Sequence, residues 1–276
     1  MIADGKAIAQ DIREKLTRVV AGFSVPLRLE IVIMGENPVI ENFVRIKKKV
    51  GESLGIPVVE HRFQESTDEK MLEDAVRKLG EDKDIVGIII QLPLPAHLAV
   101  QKILDAVPTE KDVDVLSTES VAAFRRGEAK VLPPVAGAIQ EILERYKVAV
   151  AGKDVLIIGH GRLVGAPAEL FFRHNDAHVT VVGRGTRLDE LTKEADIIIS
   201  GAGHPGLLKP EMIKQGAVII DAGTSEAGGK IVGDADPKCA EVASVFTPVP
   251  GGVGPIAVAL IFKNLLMLAQ KYKVEP

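Results

Sequence analysis

The chain has 276 residues, 46% hydrophobic and 26% charged, an ordinary globular profile long enough for two domains of roughly 100–150 residues. A net charge of −4, no Trp and only two Tyr offer nucleic acid neither a basic field nor stacking residues, and a single cysteine, Cys239, excludes an intramolecular disulfide and a multi-cysteine metal site. The opening MIADGKAIAQDIREKL carries acids early and lacks an apolar core, so it does not read as a secretion signal, and no apolar run approaches the ~20 residues of a membrane span. The expectation is a cytoplasmic protein with small-molecule partners and no nucleic acid or membrane partner.

Ile8, Ile12, Leu16 and Val19 recur at helical spacing and predict an opening amphipathic helix. Residues 27–34 read as a strand, 38–54 as a helix and 58–63 as a second strand. Ser66-Thr-Asp-Glu69 has the form of a capping box and predicts a helix over 66–79, stopped at Gly80. Residues 85–90 are a short β-branched run, as in a strand buried on both faces. Such alternation implies a parallel sheet covered by helices. Residues 118–137 show no clear strand and contain Gly127, Pro133, Pro134 and Gly137; a helix over 138–146 then leads into a second domain. There the pattern restarts, with strand 154–158, helix 163–175, strand 178–182, helix 188–195 and strands 197–200 and 217–221. A final helix over 256–272 is apolar enough to pack deeply. The expected domains are therefore 1–137 and 138–255, with the C-terminal helix, 256–276, returning to the first.

In the second domain, strand 154–158 runs into Gly159-His-Gly161-Arg-Leu-Val-Gly165-Ala-Pro167, and a helix follows. A tight glycine turn between a buried strand and a helix lets backbone N–H groups approach a pyrophosphate, although the third glycine falls one place later than in G-x-G-x-x-G. The next strand ends in Gly183-Arg184-Gly185-Thr186-Arg187, with two arginines and no acid before Asp189. An NAD enzyme usually places an acid there for the ribose, whereas guanidinium groups suit the 2′-phosphate of NADP. Solvated loop arginines are the plainer alternative.

In the first domain, Ile40, Phe43, Val50 and Leu54 line one helix face with Lys47 in the middle of the seam. A lysine there either snorkels to solvent or sits partly desolvated in a cleft, with its pKa lowered enough to handle protons near neutrality. The buried run 85–90 ends in Gln91-Leu-Pro-Leu-Pro95, and ligands of open α/β sheets bind at such carboxyl ends. Lys111-Asp-Val-Asp114 then supplies closely spaced acids.

Together these segments resemble the methylenetetrahydrofolate dehydrogenase/cyclohydrolase family over essentially the whole chain. The longest match is Thr247-Pro-Val-Pro-Gly-Gly-Val-Gly-Pro255; Gln91-Leu-Pro-Leu-Pro95, Lys111-Asp-Val-Asp114 and Val164-Gly-Ala-Pro167 match as well. The resemblance implies an N-terminal α/β substrate domain and a Rossmann-like parallel-sheet NADP domain, with a cleft between them that holds a tetrahydrofolate derivative, in a homodimer. It implies NADP-linked oxidation of 5,10-methylenetetrahydrofolate and hydrolysis of the methenyl product, with no metal. Lys47, Gln91 and Asp114 match the catalytic positions. Phe43, Pro250, Gly251 and Gly252 match substrate contacts, and Gly159, His160, Gly161, Val164, Gly165, Arg184 and Thr224 match cofactor contacts. Phe43 stands where the family has tyrosine, Ile40 where it has serine, His160 and Gly161 where it has arginine and serine, Val115 where glycine is usual, and Ala257 where it has threonine. Two alternatives stay open: another NADP-dependent dehydrogenase of the shikimate type, and a catalytically weakened folate- or nucleotide-binding paralogue.

Overall fold

A computed structural model describes residues 1–23 and 27–272. The chain divides into two compact units, Asp11–Pro133 with the chain from Val258 onward, and Met1–Gln10 with Pro134–Ala257. In chain order the elements up to Pro133 are α1 (Gly5–Val20), β1 (Leu29–Met34), α2 (Pro38–Leu54), β2 (Val58–Phe63), α3 (Glu69–Glu81), β3 (Gly87–Ile90), α4 (Val100–Leu104) and α5 (Thr118–Arg125). The strands are parallel in the order β2-β1-β3. β1 is buried along its whole length because it has a neighbour on each side, which suits its apolar residues; the exception, Glu30, is met by His61 Nε2 at 2.6 Å. Val32, Ile88, Leu72, Val76 and Ile103 pack into one core cluster of this unit.

α2 follows from its ends and its stripe. The Asn37 side chain accepts from the N–H groups of Val39 and Ile40, Pro38 needs no partner in the first turn, and Gly55 at φ +70° closes the helix. Ile40, Val44, Lys47, Val50, Gly51 and Leu54 are its buried face. α3 corrects the expected capping box. Asp68, not Ser66, caps it by accepting from the Met71 N–H, and the helix runs past Gly80 to Glu81. Gly80 is needed for packing instead, since a Cβ there would lie 2.8 Å from the Pro108 ring. α5, in a stretch with no expected strand, begins where the Ser117 hydroxyl accepts from the Ser120 N–H.

The second unit carries α6 (Pro134–Arg145), β4 (Asp154–Ile158), α7 (Gly165–His174), β5 (His178–Val182), α8 (Asp189–Glu194), β6 (Ile197–Ser200), β7 (Val218–Asp221), a hairpin of β8 (Ser225–Ala227) and β9 (Lys230–Val232), and β10 (Val245–Phe246). Its main sheet is parallel in the order β10-β7-β6-β4-β5. Leu156, Ile198, Ile219, Leu208 and Phe246 form its core on one face. α9 (Val253–Leu268) starts in this unit and ends in the first, followed by a 3-10 turn over Ala269–Tyr272; the last four residues of the expected C-terminal helix lie outside the described residues.

The first ten residues, expected in the first domain, belong to the second. Ala3 N–H donates to Phe246 O at 2.8 Å and Phe246 N–H to Met1 O at 2.9 Å, so the N-terminus extends the ladder beside β10. Gly5 fixes this placement, because a Cβ there would fall 1.8 Å from the Gly252 carbonyl oxygen.

Candidate functional sites

Lys47 is only 8% exposed on the buried face of α2, and its ammonium donates to Gln91 Oε1 at 2.8 Å. Gln91 stands one residue beyond β3 and prolongs the ladder, its N–H donating to Val32 O at 2.9 Å. Its amide is oriented by the second bond it makes, Nε2 to Leu92 O at 3.0 Å, which turns Oε1 toward the lysine. Burial lowers the Lys47 pKa from its ordinary value, and the charge of Asp114 works against that shift. Burial pushes Asp114 up to about 6, opposed by Lys47 and reinforced by Asp112. Phe43, half-buried, lies one turn before Lys47 on the same side of α2.

Asp114 reaches this cluster because its loop runs beside β3, with Ile88 and Asp112 bridged in parallel. The Asp112 carboxylate closes the turn, accepting from Leu116 N–H at 3.0 Å and Ser117 N–H at 2.8 Å. Lys111 ties the same loop to the end of α3 through Gly80 O at 2.7 Å and Asp82 O. Val115 holds φ +57°, a left-handed conformation that favours glycine and costs a β-branched residue about 1–2 kcal/mol. The turn keeps its shape because Val115 is buried, its own N–H donates to Asp112 O at 3.3 Å, and the next N–H, of Leu116, donates to the Asp112 carboxylate. Asn264 of α9, which the sequence does not single out, donates to Val113 O at 2.9 Å and Leu132 O at 2.8 Å and so clamps the backbone just before Asp114.

The second unit carries a site of another kind. Gly159 leaves β4 at φ +87°, and a Cβ on Gly165 would stand 1.9 Å from the Gly159 carbonyl oxygen, so strand and helix approach as closely as backbone allows. Among the described residues no side chain caps α7, whose N-cap is Val164, and apart from its chain neighbours nothing lies within 4 Å of where a Cβ on Gly161 would point. Open backbone before an uncapped helix start fits the phosphates of a dinucleotide. The His160 side chain is turned aside to Glu169, Nε2 to Oε2 at 2.7 Å. β5 lies next to β4, Gly159 N–H donates to Val182 O at 2.9 Å, and exposed Arg184 follows two residues later. Thr224 is exposed after β7, separated from β4 by β6. Pro250, Gly251 and Gly252 precede α9 in this same unit, Gly251 at φ +113° and Gly252 buried against Thr247 and Pro248. The structure thus joins Lys47, Gln91 and Asp114 in one unit and the glycine turn with Arg184 in the other.

A dinucleotide turn on a parallel sheet, with a separate buried lysine site, defines a two-domain enzyme of the nicotinamide-dependent class. Residues 3–114 match the family described as "Tetrahydrofolate dehydrogenase/cyclohydrolase, catalytic domain" and residues 133–273 its "NAD(P)-binding domain". The chain belongs to the tetrahydrofolate dehydrogenase/cyclohydrolase family. It is 38% identical over 274 residues to the bifunctional protein FolD of Lacticaseibacillus paracasei, covering 97% of each chain. The bifunctional FolD methylenetetrahydrofolate dehydrogenase/cyclohydrolase of Campylobacter jejuni superposes with a TM-score of 0.94 at 32% identity, covering 98% of this chain and 99% of that one. The FolD of Trypanosoma brucei, solved with NADP cofactor and inhibitor, superposes at 0.91 and 32% identity over 98% and 97% of the two chains. A shikimate dehydrogenase of Thermus thermophilus, 15% identical over 89% of this chain and 99% of its own with a TM-score of 0.55, shares the fold alone.

Proposed function

We propose that the protein oxidises 5,10-methylenetetrahydrofolate to 5,10-methenyltetrahydrofolate with NADP and hydrolyses that product to 10-formyltetrahydrofolate. The observation that carries the hydrolytic half is the buried 2.8 Å bond from Lys47 to Gln91 beside Asp114. NADP, when bound, supplies the hydride acceptor for the one-carbon bridge. The backbone of Gly159, His160, Gly161, Val164 and Gly165 would hold its pyrophosphate, Arg184 its 2′-phosphate, and Thr224 would line the same mouth. Phe43 would stack on the folate ring, and Pro250, Gly251 and Gly252 would contact substrate through backbone.

For hydrolysis, water adds to the electrophilic methenyl carbon while the neutral amine of Lys47 takes its first proton. The adduct's hydroxyl proton then passes to solvent water, the net proton released, as the bond from carbon to N5 breaks. N5 takes a proton back from Lys47, and the formyl group stays on N10. Burial favours this role because it raises the fraction of neutral amine near neutrality. Gln91 holds the amine in place by accepting from it. Asp114 would hydrogen-bond the pterin ring.

An absorbance assay with methylenetetrahydrofolate and either cofactor tests the reading. The methenyl chromophore should form with NADP in preference to NAD and then decay as it is hydrolysed. Turnover of a shikimate-type substrate instead, or ligand binding without any turnover, would overturn it. The partners are then tetrahydrofolate derivatives and NADP rather than nucleic acid or membrane, in line with the net charge of −4. We also place the protein in the cytoplasm, in keeping with a buried Cys239 that forms no disulfide, and propose a homodimer, for which β2, with exposed Val59 and no strand on its outer side among the described residues, offers a pairing edge. Light scattering giving the mass of one chain would reject the dimer.

A further inference from the structure

Two aspartates lie buried in the second unit beyond the glycine turn, and both bond to loops at the carboxyl ends of its strands. Asp234, fully buried, accepts from Ser200 Oγ at 2.6 Å, Ala202 N–H at 2.8 Å and His204 N–H at 2.6 Å. These donors belong to the end of β6 and to residues 201–204 that follow it. That segment, Gly201-Ala202-Gly203-His204, has little side chain with which to organise itself, so the carboxylate sets its path.

The same segment is the wall of the dinucleotide turn. A Cβ on Gly159 would lie 2.8 Å from Gly201 O, and one on Gly201 would lie 2.5 Å from a Val164 methyl. Gly201 N–H donates to Ile158 O at 2.9 Å, the last residue of β4. With no side chain to give way at Gly159 or Gly201, a displacement of 201–204 passes directly into the turn.

The neighbouring loop is braced by the same group. A Cβ on Gly223 would fall 2.3 Å from the Asp234 carboxyl carbon, so the backbone before Thr224 rests on it. Asp221 holds the far side, accepting from Gly223 N–H at 2.9 Å and Ala235 N–H at 2.8 Å. One carboxylate therefore ties together the loops after β6 and β7, on the rim where open parallel sheets take their ligands.

We propose that Asp234 is a positioning residue for the nicotinamide cofactor, acting through residues 201–204 on the glycine turn. The proposal rests on the NADP reading above. Asp234→Asn keeps the size but turns an N–H₂ toward one of three donors, while Ser200→Ala removes a single donor. The experiment measures NADP affinity by calorimetry, and hydrolysis of methenyltetrahydrofolate without NADP, for the parent and both variants. Asp234→Asn should weaken NADP at least about tenfold and Ser200→Ala a few-fold. Hydrolysis should stay within about twofold of the parent, because Lys47, Gln91 and Asp114 belong to the other unit. In the dehydrogenase assay, KM for NADP should rise while KM for the folate does not. A folded Asp234→Asn with parental NADP affinity overturns the proposal, as does equal loss of both activities in a folded variant. Should Asp234→Asn fail to fold, Ser200→Ala decides: unchanged NADP affinity refutes the coupling. A parent that binds no NADP fails the functional reading itself, which separates the two failures.

Discussion

In the first unit the proposed reactive groups are side chains withdrawn from water: Lys47 and Gln91 are each 8% exposed, and the bond between them spans 44 residues of sequence. In the second unit the proposed cofactor surface is mostly backbone, glycines that admit no Cβ or leave open space, with the arginine proposed for the 2′-phosphate, Arg184, in solvent. The contrast follows the chemistry each must serve. Handling a proton near neutrality requires a cation whose charged form is disfavoured, and burial supplies that. Gripping a soluble anionic cofactor requires donors that are already oriented and a cation whose charge is never in question. The lysine site should therefore fail sharply when one side chain changes, while the turn should tolerate side-chain loss more gradually.

The largest effect expected is at Lys47. Lys47→Met keeps most of the stem's packing and removes the amine, so hydrolysis of methenyltetrahydrofolate should fall by roughly 10²–10⁴-fold. NADP affinity should not change. A variant hydrolysing as fast as the parent would remove the lysine from the mechanism, and a simultaneous loss of NADP binding would mean that the two sites do not act independently.

Arg184→Ala should have a smaller and more selective effect. A charge-assisted contact to the 2′-phosphate is worth ~1.5–3 kcal/mol, so NADP should bind about ten- to a hundredfold more weakly while NAD barely changes. Equal weakening of both cofactors, or of neither, would move the 2′-phosphate away from this arginine.

The mildest effect is expected for Phe43→Tyr. Phe43 is half-buried rather than enclosed, so an added hydroxyl need not be desolvated without a partner. Hydrolysis should rise by up to roughly tenfold, the worth of one neutral hydrogen bond, with the melting temperature unchanged. A loss of stability would mean that buried Ile40 closes the space. In that case the double change with Ile40→Ser should recover activity, and failure of both folded variants would mean the site works without that hydroxyl.

How far the sequence reaches differs between the units for a physical reason. α2, β4, β5 and β6 fall where their residues predict because each carries its own signal, a capped amphipathic stripe or a β-branched run between turn residues. α4 and α5 escape because they are short and depend on caps and tertiary contacts more than on periodicity. The capping box at Ser66 fails because Asp68, nearer the apolar stripe, makes the stronger acceptor for the Met71 N–H. Lys47 is conspicuous in the sequence as a cation in an apolar seam. Asn264 and Asp234 are not, since a polar residue in an apolar helix or after a glycine discloses nothing of partners 151 or 34 residues away. The path of residues 1–10 is hidden likewise, because the strand they join lies at the other end of the chain.

The pH profile of methenyltetrahydrofolate hydrolysis at saturating substrate is the sharpest test of Lys47 as the proposed proton acceptor. With the neutral amine as the proposed active form, the rate should climb with pH through a pKa below the ordinary lysine value of 10.5. The Asp114 charge raises that pKa, so Asp114→Asn should move the rising limb to lower pH, and Lys47→Met should abolish it. A rising limb that survives in Lys47→Met at parental height, or one that moves to higher pH in Asp114→Asn, would contradict the assignment.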